Sequence, residues 1–177
     1  MAFKGLREWI ELLGAEGELM RIKAEVDWDL ELATIGRRAP KDTALLFENI
    51  KDYHITLSTK LFLNGLSSKS RVALMLGMPK DTRKRDLIQI VRKRFNEPVK
   101  PVLVESGPVK ENIVRGREID LLQLPVPKWH PLDGGRHIDT FSGTVTKDPE
   151  TNDINVGVYR GMVVGKTRIA KLLAPHH

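Results

Sequence analysis

Hydrophobic positions recur at helical spacing in several segments of the first half of the chain. The first is the clearest, because Leu6, Trp9, Ile10 and Leu13 fall at i, i+3, i+4 and i+7, and Gly14 follows. The predicted helices cover residues 6–14, 30–38, 67–78 and 82–94, with Asp29 as the N-cap of the second and Asp81 or Thr82 as that of the fourth. Between them, apolar runs predict strands over residues 18–23, 44–47 and 54–57.

Helical periodicity disappears after residue 97. Prolines make residues 96–101 an extended link and exclude a helix over residues 121–131. Strands are predicted over residues 102–105, 113–115, 137–147 and 154–165, with a turn at 133–135 and a hairpin loop at 148–153. The predicted fold class is α+β: a small N-terminal α/β domain over residues 1–97, followed over residues 98–177 by the first part of an antiparallel β domain.

Composition narrows the class of protein. The chain has 177 residues, of which 41% are hydrophobic and 29% charged, a balance typical of a soluble globular protein. It contains no cysteine, so disulfides, thiolate catalysis and cysteine-ligated metals are excluded. The longest apolar run, residues 72–78, is too short to span a bilayer, and charges near the N-terminus argue against a signal peptide. We therefore expect a cytoplasmic protein without a membrane partner.

The net charge of +6 is confined to one region, because residues 80–117 hold 11 basic and 5 acidic residues and the remainder is balanced. One interpretation is a patch for a nucleic acid or another polyanion, as in a non-enzymatic adaptor. The other is the solvated face of a helix whose apolar stripe is Leu87, Ile88, Val91 and Phe95. The second is favoured, since one aromatic residue makes a poor stacking platform for nucleic acid.

Polar and turn-forming residues crowd into residues 128–160, as in loops that carry function. Gly134 and Gly135 are a weak signal for a phosphate loop, because a pair of glycines is usually only a turn. His130 and His137 are too far apart to form a metal-binding pair on a helix. From these residues alone the alternatives stay open: an enzyme, a plain FMN-binding protein, a nucleic-acid adaptor or a scaffold.

Several uncommon sequence words resemble the UbiD family of reversible decarboxylases. They are LPVPKWHPLDGGRHI at residues 124–138, Thr140, NVGVYR at 155–160 and PHH at 175–177, together with LREWIELL at 6–13 and ALLFENI at 44–50. The resemblance covers essentially the whole chain. It implies a flavin-reductase-like split β-barrel, incomplete here, over residues 98–177. It also implies prenylated FMN, a divalent metal of the Mn²⁺ type and K⁺ as cofactors, and a small aromatic or α,β-unsaturated carboxylic acid as substrate.

The resemblance also implies roles for individual residues. Asn155 matches an asparagine that ligates the metal beside the flavin phosphate, and His177 matches the histidine ligand, with His176 as the alternative. An amide oxygen and an imidazole are suitable ligands for such an ion. The choice between the two histidines depends on whether a gap is allowed in the comparison.

Arg160 matches the family's active-site arginine, which lies near the flavin and the substrate carboxylate. Its planar guanidinium can bind a carboxylate through two parallel hydrogen bonds. Thr140, Val158 and Tyr159 match residues that line the flavin site. A plain FMN-binding split-barrel protein is the alternative, although it would need no metal ligands.

Asn155 and Arg160 are five residues apart, so a regular strand would direct them to opposite faces. Both can serve one site only if the strand is irregular within residues 156–159, and Gly157 is the obvious position. An ordinary hairpin with a surface arginine would instead show unbroken pairing.

The family's metal-binding glutamate and its acidic proton donor match nothing before His177. Asp133 and Asp139 are interpreted as solvated turn residues, so no substitute is expected. We therefore expect that the chain alone is inactive, and that it is either the N-terminal part of a longer enzyme or a small subunit completed by a partner chain. An open β edge also favours pairing or self-association, and the resemblance implies a homo-oligomer.

Overall fold

The computed structural model describes residues 3, 5–40, 43–54, 56, 58–100 and 102–173. Their packing divides the chain into two compact units. Unit 1 comprises the described residues of Met1–Ile22, Ala39–Leu46 and Phe62–Arg115, and unit 2 those of Lys23–Arg38, Phe47–Leu61 and Gly116–His177. Because these units are defined by packing and are not continuous in sequence, the division into domains at residues 97 and 98 stays a prediction.

The secondary structure is a mixture of helices and short strands, which confirms the α+β class. The α-helices are α1 (Leu6–Ala15), α2 (Glu31–Arg38), α3 (Lys69–Met75) and α4 (Lys84–Phe95). The strands are β1 (Leu19–Ile22), β2 (Ala44–Phe47), β3 (Leu61–Leu63), β4 (His137–Ile138), β5 (Thr144–Lys147), β6 (Ile154–Gly157), β7 (Gly161–Gly165) and β8 (Arg168–Lys171). Within the described residues, no helix has the length and apolar character that a bilayer crossing needs.

The core of unit 1 forms where the apolar stripe of α1 meets the first sheet, whose strand order is β1-β2-β3. Trp9 and Leu13 are buried against Ala44 of β2, and Phe3 stacks edge-to-face on Trp9 with ring centroids 5.2 Å apart. All four residues of β2 are buried. Burial of Trp9 and Leu13 explains why the periodicity of residues 6–14 predicted α1 correctly.

Helix α3 begins at an N-cap serine. The Ser68 hydroxyl accepts a hydrogen bond from the Arg71 backbone N–H at 3.3 Å, and Gly77 ends the segment with a φ of +73°. The prediction of Asp81 or Thr82 as the N-cap of helix α4 was wrong. The N-cap is Arg83, and its side chain makes no capping hydrogen bond. Thr82 is not the cap, since its hydroxyl donates instead to the Pro79 carbonyl at 2.7 Å.

Two further predictions in the first half were wrong in detail. Helix α2 begins at Glu31, and Asp29 is not its cap but forms an isolated parallel bridge with Lys128. The predicted strand over residues 54–57 is not formed at His54 or Thr56, and residues 55 and 57 lie outside the described residues. A strand forms at β3 instead, where it can pair with β2.

Unit 2 carries two small antiparallel sheets. One has the order β4-β7-β8, and the other is the hairpin of β5 and β6. The hairpin loop predicted over residues 148–153 is confirmed, because the Asp148 carboxylate accepts hydrogen bonds from the Glu150 and Thr151 backbone N–H groups at 2.8 Å. No sheet closes into a barrel within the described residues.

Long-range pairing changes the strands predicted in the second half. The predicted strands over residues 137–147 and 154–165 each divide in two, so that β4 and β7 enter one sheet and β5 and β6 the other. Residues 102–105 and 113–115 form no strand. Val102 and Leu103 are 83% and 100% exposed, and without a partner strand their backbone cannot form a ladder.

Candidate functional site

The Asp133 carboxylate is the centre of a polar cluster in unit 2. Its side chain is only 9% exposed, and Oδ1 accepts a hydrogen bond from Arg160 Nη1 at 3.3 Å. Oδ2 accepts from the His130 backbone N–H at 3.0 Å and lies 3.9 Å from His137 Nδ1. The interpretation of Asp133 as a solvated turn residue was therefore wrong, because residues from another part of the chain cover it.

The turn around Asp133 is closed by its own backbone and by two glycines. The Asp133 N–H donates to the His130 carbonyl at 3.1 Å. A Cβ atom at Gly134 would lie 3.3 Å from Met162 Sδ, and one at Gly135 would lie 3.4 Å from Met162 Cγ. The glycines therefore allow the turn to pack against β7, which is the structural alternative to a phosphate loop.

A backbone carbonyl positions the ring of the buried His137. Its Nδ1 lies 3.1 Å from the Gly135 carbonyl oxygen, which can only accept, so Nδ1 carries the proton. The His137 carbonyl in turn accepts a hydrogen bond from Trp129 Nε1 at 2.9 Å. Both contacts hold the start of β4 beside the turn.

Arg160 lies in a break between two strands. β6 ends at Gly157, residues 158–160 are outside any strand, and β7 begins at Gly161 in the other sheet. The irregularity predicted from the spacing of Asn155 and Arg160 is confirmed, and the ordinary-hairpin alternative was wrong. The Tyr159 ring lies against the Gly157 backbone, where it leaves no room for a Cβ atom.

Lys171 of β8 forms hydrogen bonds both to the irregular segment 158–160 and to residues that flank the loop between β4 and β5. Its ammonium donates to Asp139 Oδ2 at 2.7 Å, to Thr144 Oγ1 at 3.0 Å and to the Tyr159 carbonyl at 3.2 Å. Asp139 is therefore an ion-pair partner with a side chain 29% exposed, and its interpretation as a solvated turn residue was wrong. The same three bonds hold the loop that carries Thr140.

The remaining predicted site residues are mostly exposed. Thr140 lies in the turn after β4, Asn155 lies opposite Thr146 in the hairpin, and Val158 is 61% exposed. Within the described residues the Asn155 side chain makes no hydrogen bond, so its amide oxygen is available to a ligand. The predicted ligands His177 and His176 lie outside the described residues.

Arg136 was not predicted to be a site residue, but its side chain contacts Trp28 and Tyr53, which are distant in the sequence. The Arg136 guanidinium stacks over the Trp28 ring, 3.4 Å from its centroid, and donates a short hydrogen bond to the Tyr53 hydroxyl. That hydroxyl donates to the Leu122 carbonyl at 3.0 Å. Helix α2 adds a further contact, since Arg37 donates to the Trp129 carbonyl at 2.8 Å.

Family models match both halves of the chain. Residues 10–91 match the model described as the 3-octaprenyl-4-hydroxybenzoate carboxy-lyase N-terminal domain. Residues 100–177 match the one described as the 3-octaprenyl-4-hydroxybenzoate carboxy-lyase Rift-related domain. Together these two matches cover well over half of the chain.

Curated relatives align with most of this chain. A phenolic acid decarboxylase of Sedimentibacter hydroxybenzoicus is 37% identical over 98% of this chain and 38% of its own length. A pyrrole-2-carboxylic acid decarboxylase of Pseudomonas aeruginosa is 33% identical over 93% of this chain and 35% of its own length. The chain therefore spans little more than a third of the length of these relatives.

Solved structures have the same fold. The closed form of the vanillic acid decarboxylase of Sedimentibacter hydroxybenzoicus superposes with a TM-score of 0.90 and 34% identity, over 100% of this chain and 38% of the other. The UbiD-class enzyme HmfF of Pelotomaculum thermopropionicum in complex with FMN gives a TM-score of 0.83 and 31% identity, over 96% and 36%. An evolved dimeric form of the same enzyme in complex with prenylated FMN gives 0.84 and 31%, over 96% and 38%.

Proposed function

This chain belongs to the UbiD family of carboxy-lyases, and we propose that it supplies the N-terminal part of a reversible decarboxylase for aromatic or α,β-unsaturated carboxylic acids. The relatives named for phenolic, vanillic and pyrrole-2-carboxylic acids support this substrate class. All of these acids place a carboxylate on an unsaturated carbon. The site therefore has to bind a carboxylate and hold it in place while the C–C bond breaks.

The observation that carries the proposal is the arrangement of Arg160. One guanidinium nitrogen is held by Asp133, while 55% of the side chain is exposed. Within the described residues, the other N–H groups make no hydrogen bond and can face a ligand. A planar guanidinium held in this way can bind a carboxylate with two parallel hydrogen bonds and fix its orientation.

Prenylated FMN is the proposed cofactor, and the structures of a related enzyme with FMN and with prenylated FMN support it. Thr140, Val158, Tyr159 and Arg160 would line its site. An exposed valine beside a half-buried tyrosine provides apolar surface for a ring system. When bound, the cofactor would supply the electron sink for decarboxylation, and the chain would supply binding and orientation.

The donor chemistry suits a hard divalent ion of the Mn²⁺ type. The Asn155 amide oxygen is exposed, and His177, or alternatively His176, would add an imidazole. Within the described residues, no group of three or more His, Asp or Glu side chains is arranged to hold a metal. We therefore propose that Asn155 and the terminal histidine supply part of the ligand set, that another segment completes it, and that K⁺ binds in the same enzyme.

The hairpin of β5 and β6 supports completion of unit 2 by further strands. Both strands have apolar residues that face solvent: Val145, Ile154 and Val156 are 66%, 68% and 63% exposed. A two-stranded hairpin is only marginally stable by itself, and its edges can pair further. We propose that a downstream part or a complementing chain extends it into the split barrel, supplies the missing acids and forms a homo-oligomer.

The proposal is tested on the complete enzyme, which is this chain joined to its downstream part or co-purified with its complementing chain, from cells that make prenylated FMN. Mass spectrometry should find prenylated FMN, and chromatography should show loss of vanillate, 4-hydroxybenzoate or pyrrole-2-carboxylate with release of CO₂. The Arg160→Ala variant should lose this activity. A preparation that holds neither flavin nor metal and does not exchange the carboxyl group of any of these acids with labelled CO₂ would contradict the proposal.

A further inference from the structure

Unit 1 has an apolar groove that the decarboxylase site does not use. It lies between α3 and α4 and has a volume of about 500 Å³. Its apolar lining consists of Val72 from α3 and of Leu87, Ile88 and Val91 from α4. Leu87 is buried and fixes the floor, whereas 48% of Ile88 is exposed to solvent.

The rim of the groove is entirely cationic. Its polar lining residues are Lys69, Lys84 and Arg92, and all three are exposed. Within the described residues none of them makes an ion pair, whereas the neighbouring Arg83 and Arg85 both pair with Asp86, at 2.9 and 3.4 Å. The groove therefore presents three uncompensated positive charges around an apolar floor.

The spacing of the lining residues on α4 suits a helical partner. Lys84, Leu87, Ile88, Val91 and Arg92 follow the i, i+3, i+4, i+7 and i+8 positions of one face. This face is about 12 Å long at 1.5 Å per residue, so a helix of about three turns would cover it. Phe95, which is 82% exposed, continues the stripe by one further turn.

We propose that this groove docks an acidic amphipathic α-helix of a partner polypeptide. Leucine-type side chains at i, i+3 or i+4 and i+7 would fill the apolar floor, as in other helix-in-groove complexes. Glutamate or aspartate on the two flanks of that helix would neutralise the cationic rim and set its orientation. A nucleic acid would also meet the rim, but its phosphates would leave the apolar floor exposed to water.

The test is binding of a synthetic helical peptide to the full-length protein, measured by fluorescence anisotropy. The probe carries leucines along one face and glutamates on both flanks. We expect that it binds, that salt weakens binding, and that Ile88→Glu or Arg92→Glu raises the Kd about tenfold, equivalent to about 1.4 kcal/mol. Lys93→Glu is the matched control, because Lys93 is exposed on the same helix outside the groove. It should change the Kd less than about twofold.

Further probes distinguish docking of a helix in the groove from non-specific binding of an anion to its positive charges. A scrambled peptide of equal composition, polyglutamate and a single-stranded RNA oligonucleotide should all bind more weakly than the probe, and Ile88→Glu should weaken their binding no more than Lys93→Glu does, since both variants act on these probes only through charge. The proposal is overturned if the probe does not bind, if polyglutamate or RNA binds as well as it does, or if Lys93→Glu weakens binding as much as Arg92→Glu. Circular dichroism establishes that each variant is folded, so a lost helix is not mistaken for a lost contact.

Discussion

The Asp133 carboxylate and the Arg160 guanidinium lie 3.3 Å apart although 27 positions separate them in the chain. The acid is nearly buried and the arginine is half-exposed, so one end of the pair is fixed and the other faces solvent. Asp133 therefore acts as a positioning residue: it limits the rotamers of the group that we propose binds the substrate carboxylate.

Replacement of Asp133 should release Arg160. We expect Asp133→Ala in the complete enzyme to lower kcat/KM about tenfold or more, since it also leaves the His130 N–H without an acceptor. Asp133→Asn keeps an oxygen for that N–H and should retain more activity. The measurement is steady-state decarboxylation with kcat and KM determined separately, and Asp81→Asn, at an exposed position, is the control. Equal losses for Asn and Ala would contradict the positioning role.

The effect of replacing Arg160 on activity should depend on the geometry of the new side chain as well as on its charge. Arg160→Lys keeps the positive charge but cannot form the two parallel hydrogen bonds. We therefore expect kcat/KM to fall by the equivalent of about 2–3 kcal/mol of transition-state stabilisation. Arg160→Ala should lose at least as much. Full activity of the lysine variant would show that only the charge matters.

The Lys171 contacts should stabilise unit 2 more than an exposed ion pair does. Lys171→Met leaves Asp139, Thr144 and the Tyr159 carbonyl without their shared donor, and we expect a loss of about 1–3 kcal/mol in the free energy of unfolding. Hydrogen exchange should quicken around residues 139–144 and 158–160. Lys166→Met is the matched control, because Lys166 is 70% exposed in its pair with Asp120. A control effect as large as that of Lys171→Met would contradict this prediction.

The free energy of unfolding should decrease in acid as Asp27 becomes protonated. The hydrogen bond from Lys51, at 2.7 Å, holds the pKa of Asp27 below its ordinary value of 3.8, and the Asp29 backbone N–H adds to this. A depressed pKa means that the folded state favours the carboxylate. The resulting stability is present above pH 3.8 and is lost as the pH falls through the folded pKa. Urea unfolding of Asp27→Asn against the parent chain should show a difference near neutral pH that shrinks in acid. Glu11→Gln, at an exposed position in α1, should show no such trend.

The sequence predicted those parts of the fold that depend on local periodicity. Helix α1 follows from the stripe that places Trp9 and Leu13 in the core, and α3 and α4 follow from similar patterns. The turn-forming residues likewise located the hairpin loop at 148–153, because Asp148 satisfies neighbouring N–H groups. Such features are decided by residues a few positions apart.

Features that depend on distant partners were predicted poorly. Residues 102–105 have strand-like composition but no strand to pair with, and the division of residues 137–147 between two sheets depends on β7 and β6. The burial of Asp133 had no local signal, because Arg160 lies far along the chain. The role of Arg160 stays a prediction that the variants above test directly, and the roles of Thr140, Asn155, Val158, Tyr159 and His177 stay predictions.

Met162 packs over the backbone of Gly134 and Gly135, so the position of the turn that holds Asp133 depends on the size of one thioether. Methionine sulfoxide is bulkier and more polar, and the glycine backbone leaves little room for its added oxygen. Oxidation there would push the turn away from β7 and carry Asp133 with it. Although the chain has no cysteine, oxidation of this one methionine would therefore be expected to disturb the Asp133–Arg160 pair.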